Sequence, residues 1–564
     1  MALVGLALLL FGILWFGNLE YRDLVDPDEG RYAEIPREML VTGDWVTPHL
    51  NGLKYFEKPP LQYWATAALY SVFGVDEWVA RLWLAFTGLA GVLLAFVAGA
   101  RLYGRRVGML AAAMLVGMVM YVLFAHALTL DMGVTFFLCA AVLGFAVAQR
   151  DGASARERQA WMLGAWAAMA AAVLSKGLIG ILLPAVTVGA YVAIHRDFTL
   201  LRRLHARWGL PLFLALAAPW FVVVSTRNPE FARFFFWHEH FERYLLPGHN
   251  RPGAWWYFLP VLAVGVMPWL GVLAWSATRW WPAEPGARFR PTRFLALWCV
   301  IVFVFFSASS SKLVPYILPI FPVLALLMAA QLDGIPPRTL AALLAVFAVP
   351  AVVGAWLAPP IGAHRIHLAG VAFYAQRFLP WIEASGVVLG AGLLAAGAYA
   401  WRGSRVTAVL TASFASLVAV TLLMTGDQSM SPVYSSAHSL EGMRRAYGAV
   451  PRAVPFFSVG MYDQTIPFLL RRTVTLVDYR GELALGLDAE PDKWMPTLDA
   501  FRRRWKRLDD AYAVMHPETY KLLQHEGLPM IVLAEDPRRV IVRRPNWALG
   551  YRDTRLPWCD SRSC

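Results

Sequence analysis

Long apolar runs separated by short polar breaks dominate this chain, and their lengths set the first expectation. A run of about twenty apolar residues crosses a bilayer as an α-helix. Runs near that length fall at 1–17, 78–100, 107–125, 130–148, 160–175, 178–194, 208–225, 256–278, 294–309, 314–330, 339–358, 380–400 and 405–425, about thirteen spans in all. The first, MALVGLALLLFGILWFG, lacks the positive flank and small-residue cleavage site of a secretory signal, so an uncleaved helix is expected. Leu61 to Gly74 is too short to cross and follows Pro59 and Pro60, which predicts an interfacial helix.

After Asp427 the pattern changes. Short runs at Pro455–Val459, Thr473–Asp478, Ala511–Met515, Met530–Ala534 and Val540–Arg543 alternate with helical stretches near 462–470, 497–508 and 517–526, the signature of a small α/β domain. No G-x-G-x-x-G follows a strand, so a dinucleotide site has no support. The expected fold is a polytopic α-helical membrane protein with a C-terminal α/β extracytoplasmic domain. Residues 1–426 form the transmembrane domain, including a first outer loop over 20–77, and residues 427–564 form the second domain.

Charge orients the spans. One alternating set of loops carries Arg101, Arg105, Arg106, Arg150, Arg156, Arg158, Arg196, Arg202, Arg203, Arg207, Arg279, Arg288, Arg290, Arg293, Arg338, Arg402 and Arg405, and is expected on the cytoplasmic side. The opposite set holds only Lys176 and Lys312 in its short loops. The first outer loop and the C-terminal domain are therefore expected outside the cytoplasm.

Composition agrees with this picture. The 564 residues are 58% hydrophobic and 16% charged, a balance that excludes a soluble protein. The formal charge of +13 comes mostly from the Arg-rich loops, so it does not argue for a nucleic-acid partner. Membrane lipids and phosphate-bearing substrates suit it better. Cys139 and Cys299 sit in apolar runs as core filler; Cys559 and Cys564 either close a small disulfide loop or stay free.

The candidate chemistry gathers on the outer side. The stretch Glu20 to Pro60 packs Asp23, Asp26, Asp28, Glu29, Glu34, Glu38, Asp44 and Glu57 among Arg22, Arg31, Arg37, Lys54 and Lys58, too many charges for a plain connector. A solvated amphipathic loop without chemistry is the alternative. Asp131 opens a span with His126 nearby, and a carboxylate there is costly without a partner. In the loop after the seventh span, His238, Glu239, Glu242 and Arg243 share neighbouring helix faces, although His238-x-His240 lacks the spacing of a helical zinc pair. Ser309, Ser310, Ser311 and Lys312, followed by Tyr316, add hydroxyls and a cation at another outer turn. Acids and cations at a membrane surface suit an anionic, lipid-borne substrate whose leaving group is a phosphate. A transporter of such a lipid is the competing class, but its ionisable site is expected near the bilayer midplane, where this chain has few charges.

The motifs PDEGRYAEI, REML, TGDWVTPHLNGLKYFEKPPLQYW, LTLDMG, SKG, HEHFERY and SSSKLVPYILP resemble those of the GT-C glycosyltransferases of the protein O-mannosyltransferase type, most closely the bacterial lipid A aminoarabinose transferases. The resemblance implies a GT-C fold and transfer of a sugar from undecaprenyl phosphate to lipid A. Transfer to a protein hydroxyl or another glycolipid is the runner-up. It further implies Asp28 as principal catalytic carboxylate, Glu29 in support, and Asp131 assisting across the cavity. Arg31, Tyr32, Tyr55, Lys58, Arg243, Lys312 and Tyr316 form the expected substrate-binding set, with Lys58 and Arg243 on the lipid phosphate. Glu57 and His238 line the cavity and are the expected contacts of a divalent cation, should one be used. No other cofactor and a monomer are expected.

Overall fold

The computed structural model describes residues 2–242, 253–281, 286–363 and 369–545. Each apolar run read from the sequence is helical. Among the described residues eight helices are long and apolar enough to cross a membrane: Glu77–Leu102, Asp131–Gln149, Ala206–Arg227, Pro291–Ala308, Val314–Gly334, Pro337–Leu357, Ala375–Trp401 and Arg405–Tyr434. Two further runs are broken: Arg105–Val116 with Val119–His126 bends by 67°, and Phe258–Gly265 with Leu270–Ala277 bends by 114°. The remaining three are Ala2–Phe16, Ala155–Lys176 and Ile179–His195. In hydrocarbon every backbone N–H and C=O must find a partner within the chain, so apolar runs of this length close into helices. Pro268 accounts for the second break, because it donates no N–H and its ring crowds the preceding turn.

The first outer loop is largely folded. It contains a helix over Asp28–Thr42, called here the loop helix, and a hairpin of β1 (His49–Leu50) and β2 (Leu53–Lys54). The expected interfacial helix follows over Leu61–Phe73. Eleven of the loop helix's fifteen residues are buried, Glu29, Arg31, Glu34, Arg37 and Glu38 among them. A helix this polar is buried only because two bodies close on it.

The second of these bodies is the C-terminal domain. Among the described residues its strands are β3 (Phe456–Val459), β4 (Thr475–Val477), β5 (Trp494–Met495), β6 (Tyr512–Met515), β7 (Ile531–Glu535) and β8 (Val540–Arg543), in the order β5-β4-β3-β6-β8-β7. β3 pairs in parallel with β4 and β6, and β8 runs antiparallel to both β6 and β7. Side chains alternate across the sheet. Phe457, Val459, Val477, Ala513, Met515 and Val542 pack under the helices Leu498–Arg507 and Pro517–His525 as a separate core. Phe456, Leu476, Tyr512, Val514 and Ile541, on the other face, join the apolar core that runs into the transmembrane helices. At Gly30 the two bodies touch: a Cβ there would stand 2.6 Å from the backbone of Gln464 and Thr465.

Candidate active site

The loop helix opens with two acids in its first turn, where the helix dipole favours negative charge, and closes at Gly43 in the left-handed conformation. Neighbouring residues on a helix diverge by about 100°, so those two acids face different surroundings. The Asp28 side chain remains 51% exposed and accepts from Arg31 at 2.9 Å. Arg31 is buried and also pairs with Glu482 of the C-terminal domain. Its guanidinium lies 5.6 Å from the Tyr32 ring centroid, and Tyr32 stacks on Tyr63 at 6.3 Å. Burial lifts Tyr32, Tyr55 and Tyr63 above the usual phenol range, which keeps all three neutral. Burial, with the Glu57 charge adding to it, also raises Glu482 against the pull of Arg31.

Lys58 lies further along the same segment. Its ammonium donates to the Glu57 carbonyl at 2.8 Å and to the buried Glu239 carboxylate at 3.1 Å, tying the loop to the helix Arg233–Glu242. A third charged group stands at the ends of two spans. Asp131 begins Asp131–Gln149, Lys176 ends Ala155–Lys176, and the two form an ion pair. The Lys176 ammonium lies 5.0 Å from the Tyr316 ring centroid. The helix Leu61–Phe73 links the groups: Tyr63 stacks on Tyr32, while a Cβ at Gly133 would stand 3.8 Å from Gln62 Oε1. The structure thus holds Asp28, Arg31, Tyr32, Tyr55, Glu57 and Lys58 in one folded segment, and sets Asp131 and Tyr316 with Lys176 at the ends of the spans, with Gln62 reaching toward Gly133 between them.

Several expected residues do other work. Glu29 does not accompany Asp28; it is enclosed, and its carboxylate takes bonds from Val25 N at 3.0 Å, Leu128 N at 2.8 Å and Arg81 at 2.6 and 3.2 Å. Arg81 in turn donates to the carbonyls of Leu19, Arg22 and Asp23, so the pair fastens the loop to the bundle. Burial opposes the Glu29 charge, but Arg81 and Arg22 prevail and bring its pKa down to about 2. Lys312 turns its ammonium to the carbonyls of Ser307 and Ser309, satisfying the open end of the helix Pro291–Ala308. His126 is buried between the carbonyls of Val122 and Trp15.

His238 Nδ1 is bonded to Glu242 at 2.6 Å. Among the described residues no group of three or more His, Cys, Asp and Glu side chains is arranged to hold a metal ion, so Glu57 and His238 do not belong to such a group. Arg243, Cys559 and Cys564 lie outside the described residues. Reading the sequence alone left Lys176, Arg81 and Glu482 out of the site set. The SKG turn on the Lys-poor side was a signal for Lys176; nothing local marks the other two.

Two family models match the chain. Dolichyl-phosphate-mannose-protein mannosyltransferase covers residues 1–235, and the aminoarabinose transferase C-terminal domain covers residues 445–544. A Pectobacterium carotovorum undecaprenyl phosphate-alpha-4-amino-4-deoxy-L-arabinose arabinosyl transferase is 32% identical over 495 residues, 85% of this chain and 86% of that protein. The Aeromonas salmonicida protein of the same name is 36% identical over 334 residues, 59% of this chain and 60% of its own length. The crystal structure of ArnT from Cupriavidus metallidurans bound to undecaprenyl phosphate superposes with a TM-score of 0.89 at 37% identity, covering 96% of this chain and 98% of that one. A match that runs through both domains, at this identity and with this shared architecture, places the chain in the aminoarabinose transferase family of GT-C membrane glycosyltransferases.

Proposed function

We propose that this chain moves 4-amino-4-deoxy-L-arabinose from undecaprenyl phosphate to a phosphate of lipid A, as a monomer, on the periplasmic face of a bacterial inner membrane. The observation that carries the reading is the segment Asp28–Lys58. It holds a half-exposed carboxylate, a buried arginine and a lysine, and the helix that follows it reaches the start of the span Asp131–Gln149, where Asp131 pairs with Lys176 and a Cβ at Gly133 would stand 3.8 Å from Gln62 Oε1. In this reading the polyprenyl phosphate sits among Lys58, Lys176 and Arg243. The cations neutralise the charge that grows on the leaving phosphate as the sugar–oxygen bond breaks. Asp131 holds Lys176 in place and Tyr316 covers it.

Asp28 works on the acceptor. A phosphomonoester has a second ionisation near pH ~6, so much of it arrives already nucleophilic at neutral pH. The part that still carries a proton donates it to Asp28, which orients the attacking oxygen as it does so.

The test is reconstitution of the full chain in liposomes with undecaprenyl-phosphate-linked aminoarabinose and lipid A. Mass spectrometry is expected to show aminoarabinose added to lipid A phosphate. Movement of the intact donor across the bilayer, with no new glycosidic bond, would make the protein a transporter instead.

A further inference from the structure

Buried polar atoms without partners gather near Arg31 and along the helix Leu61–Phe73. Among the described residues, neither atom of the Gln62 amide has a hydrogen-bond partner, and the same holds for the Tyr63, Tyr55 and Tyr462 hydroxyls and for Thr66 Oγ1. Gln62 is 2% exposed and Tyr63 is 0% exposed. Leaving a buried donor or acceptor unmatched costs about 1–3 kcal/mol, and folded proteins seldom tolerate several side by side. A single amide with all its bonding capacity idle, followed by a phenol in the same state on a face turned about 100° toward Tyr32, marks a place that something polar spanning both can fill.

The location narrows what fills it. Gln62 and Tyr63 lie in the first turn of Leu61–Phe73, a few residues beyond Lys58. The charges of Arg31, Glu57 and Glu482 act on Tyr63, and Gln62 Oε1 faces Gly133, two residues beyond Asp131. A Cβ at Gly133 would stand 3.3 Å from Trp83 Nε1 and 3.8 Å from Gln62 Oε1, so the missing side chain lets the Trp83 indole N–H and the amide approach this backbone. The pair therefore stands between the Asp28–Arg31 group and the Asp131–Lys176 group, and it carries no charge of its own. Neutral donors and acceptors in that position suit the hydroxyls of a sugar better than its phosphate or its amine. A primary amide can serve two adjacent hydroxyls at once, and the stacked rings of Tyr32 and Tyr63 offer an apolar wall for the C–H face of the ring.

We infer that Gln62 and Tyr63 form a binding subsite for the neighbouring ring hydroxyls of the donor sugar. The inference rests on the proposed function for the identity of that donor. Linked through C1, 4-amino-4-deoxy-L-arabinose presents free hydroxyls at C2 and C3, the adjacent pair this subsite takes. Lipid phosphate binding lies with other residues, so the two contributions separate.

The experiment compares the full-length protein with Gln62→Leu and Tyr63→Phe in nanodiscs. Sugar-bearing donor and sugar-free undecaprenyl phosphate are each titrated against labelled undecaprenyl phosphate. Each variant is expected to bind the sugar-bearing lipid about tenfold more weakly, the loss of one good buried hydrogen bond, with affinity for the sugar-free lipid unchanged. Unchanged affinity for both lipids would overturn the subsite and give the space to ordered water. Equal loss for both lipids would also overturn it, making the residues supports of the fold; Tyr63→Phe, which removes a single oxygen, guards against misfolding as the cause. Wild-type protein that shows the expected binding pattern but forms no glycosidic bond would remove the proposed transfer and leave the subsite standing.

Discussion

The loop helix carries the same acid-x-x-arginine spacing twice, and the two copies behave differently. Near its start, Asp28 and Arg31 pair at 2.9 Å with the carboxylate 51% exposed. Two turns later, Glu34 and Arg37 pair through two bonds of 2.6 Å with the carboxylate fully buried. Glu38 stands beside this second pair and accepts from the backbone N–H of Gly52 at 2.9 Å, which pins the tip of the β1–β2 hairpin. Burial raises the pKa of Glu34, and burial together with the Glu34 charge raises that of Glu38 well above the ordinary range. One spacing therefore makes an open pair able to meet substrate and a closed bracket that holds the loop. Solvent access separates them, because a sealed carboxylate has neither room for a substrate nor freedom to exchange a proton.

The first way to break this comparison is Asp28→Asn, expected to lower sugar transfer by about a thousandfold or more while thermal unfolding stays as in the parent protein. Retained transfer in that variant would remove the distinction between the two pairs. Arg37→Ala should do the reverse. It strands two buried carboxylates and is expected to cost about 3–5 kcal/mol of stability, read as a fall in Tm, with transfer per folded molecule preserved. Lys58→Ala and Lys176→Ala should each raise the KM for donor by about ten- to a hundredfold, the worth of a charged hydrogen bond to phosphate. Steady-state kinetics at varied donor concentration checks this.

The smallest effect concerns pH and the two anchors of the loop. Burial, then the Asp463 charge, raises Asp26 at the C-terminal domain from 3.8 to about 7. Between those values the unfolded chain gives up a proton that the folded one keeps, so this contact loses stability as the pH rises from about 4 to about 7. Glu29 at the bundle is depressed from 4.5 to about 2, so its contribution is complete above 4.5 and lost as the pH falls through 2. Melting curves of Asp26→Asn between pH 4.5 and 7.5 should show a flatter slope than the parent protein. An unchanged slope would assign the pH dependence elsewhere.

Much of this was legible in advance. The apolar runs named the helices, and the five strands read from the C-terminal segment fall within a residue or two of β3, β4, β6, β7 and β8. The charged loop was recognisable as more than a connector, and it folds into a largely buried helix, while Cys139 and Cys299 are buried as expected. The two-residue β5 was not legible, being too short to show alternation. Nor was the division of labour between Asp28 and Glu29, since adjacent acids in one motif differ only in what faces them.

By itself the sequence determined what each segment becomes, because helix and strand follow from periodicity and from the need to satisfy the backbone within the bilayer. Tertiary structure alone decided which charges are sealed and which are open. Glu29 meets Arg81 at the start of a span, and Arg31 meets Glu482 beyond the last span. Both are contacts across the fold, and the energy of a charge depends on the dielectric and the partners around it, which no local pattern encodes.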